Sequence, residues 1–183
     1  KYGGDLAIGA FGIVNRLVFI VVMIVMGLNQ GMQPIAGYNF GAKLYGRVNK
    51  VLRLTIIYAT AVTTFGFLVG MLVPDLVVGI FTSDAELTEL SVTGLRITVM
   101  FFPIIGFQMV TSNFFQSIGM AGKAIFLSLT RQMLILLPCL LVLPQFFGVA
   151  GVWYSMPVSD LLASLIALVM LVCQFRKFRT SPL

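Results

Sequence analysis

The chain has 183 residues, of which 59% are hydrophobic and 10% are charged, and its mean hydropathy is +1.04. Soluble domains carry about 25% charged residues, so this composition excludes a soluble globular protein and indicates an integral membrane protein. The net charge of +6 does not indicate nucleic-acid binding, because the basic residues lie in loops between apolar segments, where membrane topology explains them.

Five apolar segments are long enough to cross a bilayer, for which a helix needs about 20 residues. We predict an all-α, polytopic membrane helix bundle with spans at about residues 7–40, 54–73, 90–115, 124–147 and 152–173. Pro34 is expected to kink or end the first helix. After the second span, Ser83 or Asp84 is predicted to be the N-cap of a helix that begins with acidic residues.

Charged residues sort to alternate sides of the predicted bundle. One side holds residue 1 and the acids near it and in the loops: Asp5, Asp75, Asp84, Glu86 and Glu89. The other side has basic residues and no acid: Lys43, Arg47, Lys50, Arg53, Lys123, Arg176, Lys177 and Arg179. The positive-inside rule makes the basic side and the C-terminus cytoplasmic. Because five spans then start outside, we expect at least one further span upstream, in a longer protein.

Five sequence landmarks follow one another along the chain. GMQPIAGYNFGAKLYGRV leads into the first basic loop, FTSDAEL and GMAGKA follow the second and third spans, and RQMLILLPCLLVLPQFFGVAGVWYSMPVSD contains the last two landmarks. Together they resemble helices eight to twelve of the multidrug and toxic compound extrusion (MATE) transporters, most of all the DinF-type branch. The resemblance covers nearly the whole chain.

This resemblance implies two six-helix lobes around a central cavity, with this chain as part of the C-terminal lobe. It implies secondary active export of amphipathic or cationic small molecules across the bacterial inner membrane, by exchange against protons or sodium ions. The coupling acids of the NorM-type branch lie on helices seven and ten, whereas the third span here has no acid beyond its first residues. The resemblance therefore implies coupling through an aspartate of the missing N-terminal lobe.

Asp160 is the only carboxylate well inside a predicted span. Ionisable groups at that depth are costly and are usually paired or functional. Two roles are open: binding or relay of a cation, and a structural ion pair with Arg96 or Arg131. Arg16, in the outer half of the first span, either faces the interface between the lobes or extends to the outer headgroups.

Two polar clusters are candidates for the wall of a substrate cavity. The cluster around Pro34 either lines a cavity at a broken helix end or caps the helix. The stripe on the third span repeats at helical spacing and either faces a cavity or joins helices. The candidate residues of the two clusters are Gln33, Tyr38, Asn39, Gln108, Ser112 and Asn113.

The sequence contains no histidine and no nucleotide-binding P-loop. We therefore expect no enzyme, no catalytic residues, no metal site and no cofactor, with transport driven by an ion gradient. Cys139 and Cys173, both in apolar runs, are expected to be small buried hydrophobic residues. Trp153 and Tyr154, at the outer end of the fifth span, are expected to be interfacial anchors.

Two other functions remain open beside drug export. A flippase of lipid-linked saccharides would be expected to have a cavity rich in arginine and lysine, whereas only Arg16, Arg96 and Arg131 lie in spans. A non-transporting membrane subunit would use its polar residues only to join helices, with the stripe on the third span inaccessible to water. The expected partners are the lipid bilayer, the missing lobe and small-molecule substrates, but no nucleic acid.

Overall fold

The structure is a computed structural model that describes the backbone of residues 4–180 and the side chains of residues 4–176. The predictions that concern Lys1, Lys177, Arg179 and the C-terminus lie outside the described residues. The described part consists of helices and short connections: α1 (Gly4–Gly41), α2 (Tyr45–Leu72), α3 (Pro74–Gly79), α4 (Ala85–Val99), α5 (Phe102–Ser117), α6 (Ala121–Leu129), a π-helical segment (Thr130–Leu136), α7 (Leu137–Phe147) and α8 (Val149–Thr180).

Five membrane spans are compatible with the lengths and hydropathies of these helices. Within the described residues, four helices are individually long and apolar enough: Gly4–Gly41, Tyr45–Leu72, Ala121–Phe147 and Val149–Arg176. The fifth is a bent pair, in which α4 and α5 meet at 54° across a short break. The predicted all-α membrane bundle is confirmed, with the third span broken rather than continuous.

The break between α4 and α5 coincides with a proline. Pro103 lies at the first or second position of α5, where its missing N–H is not needed by the helix. The same proline cannot continue the hydrogen-bond ladder of α4, and Phe102, which precedes it, is disfavoured from extending a regular helix. The chain therefore ends one helix and starts another inside the membrane.

Pro34 has a different effect. The expectation that α1 ends there is wrong, because α1 is helical through Pro34 as far as Gly41. The helix ends instead at Lys43, which has a left-handed φ of 59°. Beyond it, the Leu44 N–H donates to the Asn39 carbonyl at 2.9 Å, an arrangement typical of helix C-termini.

The two ends of the bundle differ in charge, as the sequence predicts. We call the end with Lys43, Arg47, Lys50, Arg53 and Lys123 the basic end, and the opposite end, with the loop acids, the acidic end. At the acidic end, the Asp84 side chain accepts a hydrogen bond from the Leu87 N–H at 2.9 Å and caps α4, which confirms one of the two predicted caps.

Trp153 lies in the apolar core at the acidic end. Its side chain is 3% exposed, its ring centroid is 5.6 Å from that of Phe11, and a Cβ on Gly94 would come within 2.6 Å of its ring. The expectation that Trp153 is an interfacial anchor is therefore wrong, whereas Tyr154 is exposed. The expectation that both cysteines are buried is wrong for Cys173, which is exposed.

Candidate functional site

An ion pair joins the fourth and fifth spans. The Arg131 guanidinium donates through Nε and Nη2 to one oxygen of Asp160, Oδ1, at 2.8 Å in both cases. The Asp160 side chain is 7% exposed and that of Arg131 is 32% exposed. The carboxylate is thus buried, and the charge that balances it reaches it from the more accessible side.

The pair lies deep in the bundle. Arg131 is ten residues after the start of α6 at Ala121, and Asp160 is eleven residues after the start of α8 at Val149. At a rise of about 1.5 Å per residue, both lie about 15–17 Å along their helices, near the middle of a hydrocarbon core about 30 Å thick. An unpaired charge at this depth is costly, which explains why the two residues meet.

Local backbone geometry presents Arg131 to α8. Arg131 is the second residue of the π-helical segment, in which hydrogen bonds skip five residues and one carbonyl is released from the ordinary ladder. The Leu137 N–H donates to the Gln132 carbonyl in this register, and Pro138, which follows, has no N–H to donate. The Ser159 hydroxyl donates to the Arg131 carbonyl at 3.1 Å, so α8 holds both the backbone and the side chain of Arg131.

A small cavity of about 200 Å³ borders the ion pair. Asp160, Arg131 and Ser159 line one side, and Asn15 of α1 and Thr98 of α4 add polar side chains on the others. Cavities that hold drug-sized ligands measure about 300–1,000 Å³. The cavity therefore has room for a few waters or a small ion, but not for a drug molecule.

The other two arginines of the spans lie away from this cavity. Arg96, the alternative partner considered for Asp160, is exposed in the last turn of α4. Arg16 is exposed on α1. Of the three arginines, the structure brings only Arg131 to Asp160.

The polar stripe of the third span is divided among several environments. Gln108 is buried, and Asn113 Oδ1 accepts a hydrogen bond from Gln33 Nε2 of α1 at 3.2 Å. The Ser112 hydroxyl lies 3.4 Å from that of Ser128 on α6. Much of the stripe thus joins α5 to its neighbours, which is the second of the two roles that the sequence left open.

The cluster around Pro34 is likewise divided. Asn39 is buried and donates from Nδ2 to the Ile35 carbonyl of its own helix at 2.8 Å. Tyr38, by contrast, is 77% exposed. Tyr38 therefore presents its side chain at the surface of the bundle, whereas Asn39 satisfies backbone within α1.

Three polar residues of the core are absent from the sequence-based candidates. Asn15 and Ser159 line the cavity, and Asn29 is buried with neither atom of its amide group partnered among the described residues. The available signal was an amide or hydroxyl inside an apolar run, at positions where buried polar groups are normally satisfied. Periodicity alone does not show which of these residues face one another.

The arrangement of spans and motifs has known counterparts. The MatE family model matches residues 1–141 of the 183. The chain belongs to the MatE family. Among curated MatE relatives, the multidrug export protein MepA of Staphylococcus aureus (strain MSSA476) is 28% identical over 165 residues, which cover 90% of this chain and 36% of MepA. MepA of Staphylococcus saprophyticus is 24% identical over the same length.

Solved MatE structures superpose on nearly the whole chain. The MATE multidrug transporter DinF-BH, solved in complex with a rhodamine dye, is 37% identical with a TM-score of 0.86, and the match covers 98% of this chain and 40% of DinF-BH. An outward-facing MATE transporter of the MOP superfamily, 18% identical, matches with a TM-score of 0.90 over 98% of this chain and 41% of its own, which shows the fold alone. The chain spans a little over a third of the length of its curated relatives.

Proposed function

We propose that this chain is part of one lobe of a MATE multidrug exporter, which exchanges amphipathic or cationic drugs against protons or sodium ions. The observation that carries the proposal is the match to DinF-BH over 98% of the chain at 37% identity, since that protein is described as a multidrug transporter and was solved with a bound dye. The match covers 40% of DinF-BH, so the transport cleft requires further helices that this chain does not supply.

The drug-facing wall is assigned to the exposed face of α1. The cavity at the ion pair, about 200 Å³, is too small for a drug. α1 presents Tyr38 and Gln30 at the surface, and an exposed aromatic ring with neutral polar neighbours suits an amphipathic cation. In this assignment the second lobe packs opposite this face, and the cleft lies between them.

The ion pair is assigned a structural role. Both donors of Arg131 converge on Asp160, which neutralises the carboxylate and fixes α8 to the π-helical segment. A coupling carboxylate must exchange its cation during each cycle, whereas Asp160 already has a resident counter-charge. We therefore place the coupling carboxylate in the part of the transporter outside this chain.

The proposed location is the bacterial inner membrane, with the C-terminus in the cytoplasm. The exposed basic residues at one end and the acids at the other support this orientation through the positive-inside rule. The lipid bilayer and the second lobe are then the constant partners of the chain.

The test is efflux of the rhodamine dye of the DinF-BH complex by the full-length transporter in proteoliposomes, with proton and sodium gradients imposed separately. We expect efflux to follow one gradient and, per folded molecule, to persist in Asp160→Asn. The matched control is Asp84→Asn, which removes an exposed carboxylate. Absence of efflux under both gradients contradicts the exporter. Loss of efflux in Asp160→Asn at normal folded yield contradicts the structural assignment and places a cation site here.

A flippase for lipid-linked saccharides is less well supported. Such a protein needs cationic groups in its cavity for pyrophosphate, and the arginine that lines the cavity here is paired with Asp160. Of the remaining span arginines, Arg16 and Arg96 are exposed elsewhere.

A non-transporting subunit gains some support from the hydrogen bond between Gln33 and Asn113. Thiol labelling distinguishes it from a transporter, with Cys139 and Cys173 first replaced by serine. Gln116, exposed at the end of the stripe, is the informative cysteine position, since Gln108 is buried in either case. Labelling of position 116 that changes with substrate indicates a transport cleft, and constant labelling indicates a static subunit.

A further inference from the structure

A groove lies between α2 and α8 at the basic end of the bundle. Its volume is about 240 Å³, and it is lined by Asn49, Leu52, Arg53, Ile56, Ile57 and Phe175. From this groove we propose a binding site for one anionic phospholipid, with the headgroup at Arg53 and Asn49 and the acyl chains along the isoleucines. This proposal does not depend on the transport activity.

The polarity of the groove changes along α2 as a lipid requires. Asn49, Arg53 and Ile56 follow one another at spacings of four and three residues, so they lie on one face of the helix. The polar pair lies nearer the start of α2 at Tyr45, and the isoleucines lie one turn deeper in the span. A hydrogen-bonding, cationic rim thus continues directly into an apolar trough.

Charge around the groove favours an anion. Lys50 and Arg47 are exposed one and two turns before Arg53 on the same helix, and Arg176 directly follows Phe175 on α8. The acids of the described part lie elsewhere: five near the acidic end and Asp160 in its ion pair. Each basic residue near an anionic membrane surface contributes about 1 kcal/mol of attraction, and no carboxylate side chain of the described residues lies near the groove to offset it.

The apolar lining distinguishes a lipid from a soluble phosphate or a peptide. Leu52, Ile56, Ile57 and Phe175 form most of the groove wall, and this wall belongs to a span that is itself surrounded by bilayer. Basic pockets between membrane helices on the cytoplasmic side are typical sites for anionic headgroups. A phospholipid satisfies the rim and the trough together, whereas free phosphate occupies only the rim.

The charge arm of the test compares two arginines on one helix. The full-length transporter, with Arg53→Gln or the matched control Arg47→Gln, is reconstituted with equal phosphatidylglycerol and phosphatidylcholine, and the co-purified lipid is measured by native mass spectrometry. Arg53 lines the groove and Arg47 does not. We expect Arg53→Gln to lower retained phosphatidylglycerol about fivefold, the change that corresponds to about 1 kcal/mol, and Arg47→Gln to change it less than twofold. Equal losses in both variants overturn the proposal, because they indicate diffuse attraction.

The apolar arm leaves every charge in place. Ile57→Trp fills the trough from an exposed position, and Leu54→Trp adds the same ring at an exposed position of α2 outside the groove. We expect only Ile57→Trp to reduce phosphatidylglycerol retention. Unchanged retention in Ile57→Trp overturns the lipid site, as does displacement of the bound lipid by millimolar inorganic phosphate, which would indicate an anion site without acyl chains.

Discussion

Two helix contacts in this bundle are built in opposite ways. Where α5 crosses α2, a Cβ on Gly106 would lie 2.8 Å from the Ala59 carbonyl oxygen and from the Thr63 hydroxyl, so the backbones touch. Where α8 meets the π-helical segment, Arg131 and Asp160 bridge the helices and leave a cavity beside them. Membrane helices associate through close packing of small residues and through polar contacts. The first contact excludes larger side chains, whereas the second depends on charge balance.

The largest effect is expected from an unbalanced charge. Arg131→Met leaves Asp160 buried without its partner, and breaking one side of a buried pair costs about 3–5 kcal/mol. The cost is limited if the carboxylate takes up a proton. Thermal unfolding of the detergent-solubilised full-length protein measures the loss, with Arg96→Met as the matched control at an exposed arginine.

The double variant Arg131→Met/Asp160→Asn separates pairing from packing. It removes both charges, so we expect it to recover most of the stability that Arg131→Met loses. If the double variant is less stable than either single variant, the two residues act independently, and the contact is not governed by charge balance.

A smaller effect is expected at the close-packed contact. Gly106→Leu forces α5 away from α2, and overpacking of this kind costs about 1–3 kcal/mol. Gly46→Leu is the matched control, since nothing lies within 4 Å of a Cβ at Gly46 and leucine favours the helix there. Unfolding temperatures of the two variants that agree within error would show that α2 and α5 do not need their close approach.

Sequence reasoning reached the fold because its signals are local. Apolar length defines the spans, loop charge sorts the two ends, and the Asp84 cap needs only residues three positions apart. Prolines were less informative: Pro34 leaves α1 helical, whereas Pro103 coincides with a break. The difference depends on the packing around each proline, which no local pattern contains.

The candidate site was only partly within reach of the sequence. A carboxylate inside a span predicts a partner, but Arg96 and Arg131 both remained possible because depth along a helix does not show which face meets which. The π-helical segment turns Arg131 toward α8, and Ser159 secures it through the backbone. Both features arise from tertiary contacts and from the register of one helix against another.

The hydroxyl of Ser159 tests how far the polar contact depends on backbone as well as charge. Ser159→Ala removes its hydrogen bond to the Arg131 carbonyl and leaves the ion pair intact, so we expect a loss of about 1 kcal/mol. Ser128→Ala, at an exposed hydroxyl on α6, controls for the substitution itself. An effect as large as that of Arg131→Met would show that the π-helical geometry, rather than the charge, holds the contact together.

The contact between α1 and α5 combines both modes and gives the smallest expected effect. A Cβ on Gly37 would lie 2.9 Å from the Ser117 carbonyl oxygen, and Gln33 donates to Asn113 at 3.2 Å. Because the close backbone approach persists without the amide, Gln33→Leu should cost about 0.6 kcal/mol, the average for a hydrogen bond between membrane helices. Gln30→Leu, one turn earlier and exposed, is the control. A loss above about 2 kcal/mol, beyond the largest such bond measured, would place this contact with the ion pair instead of with the glycine contact.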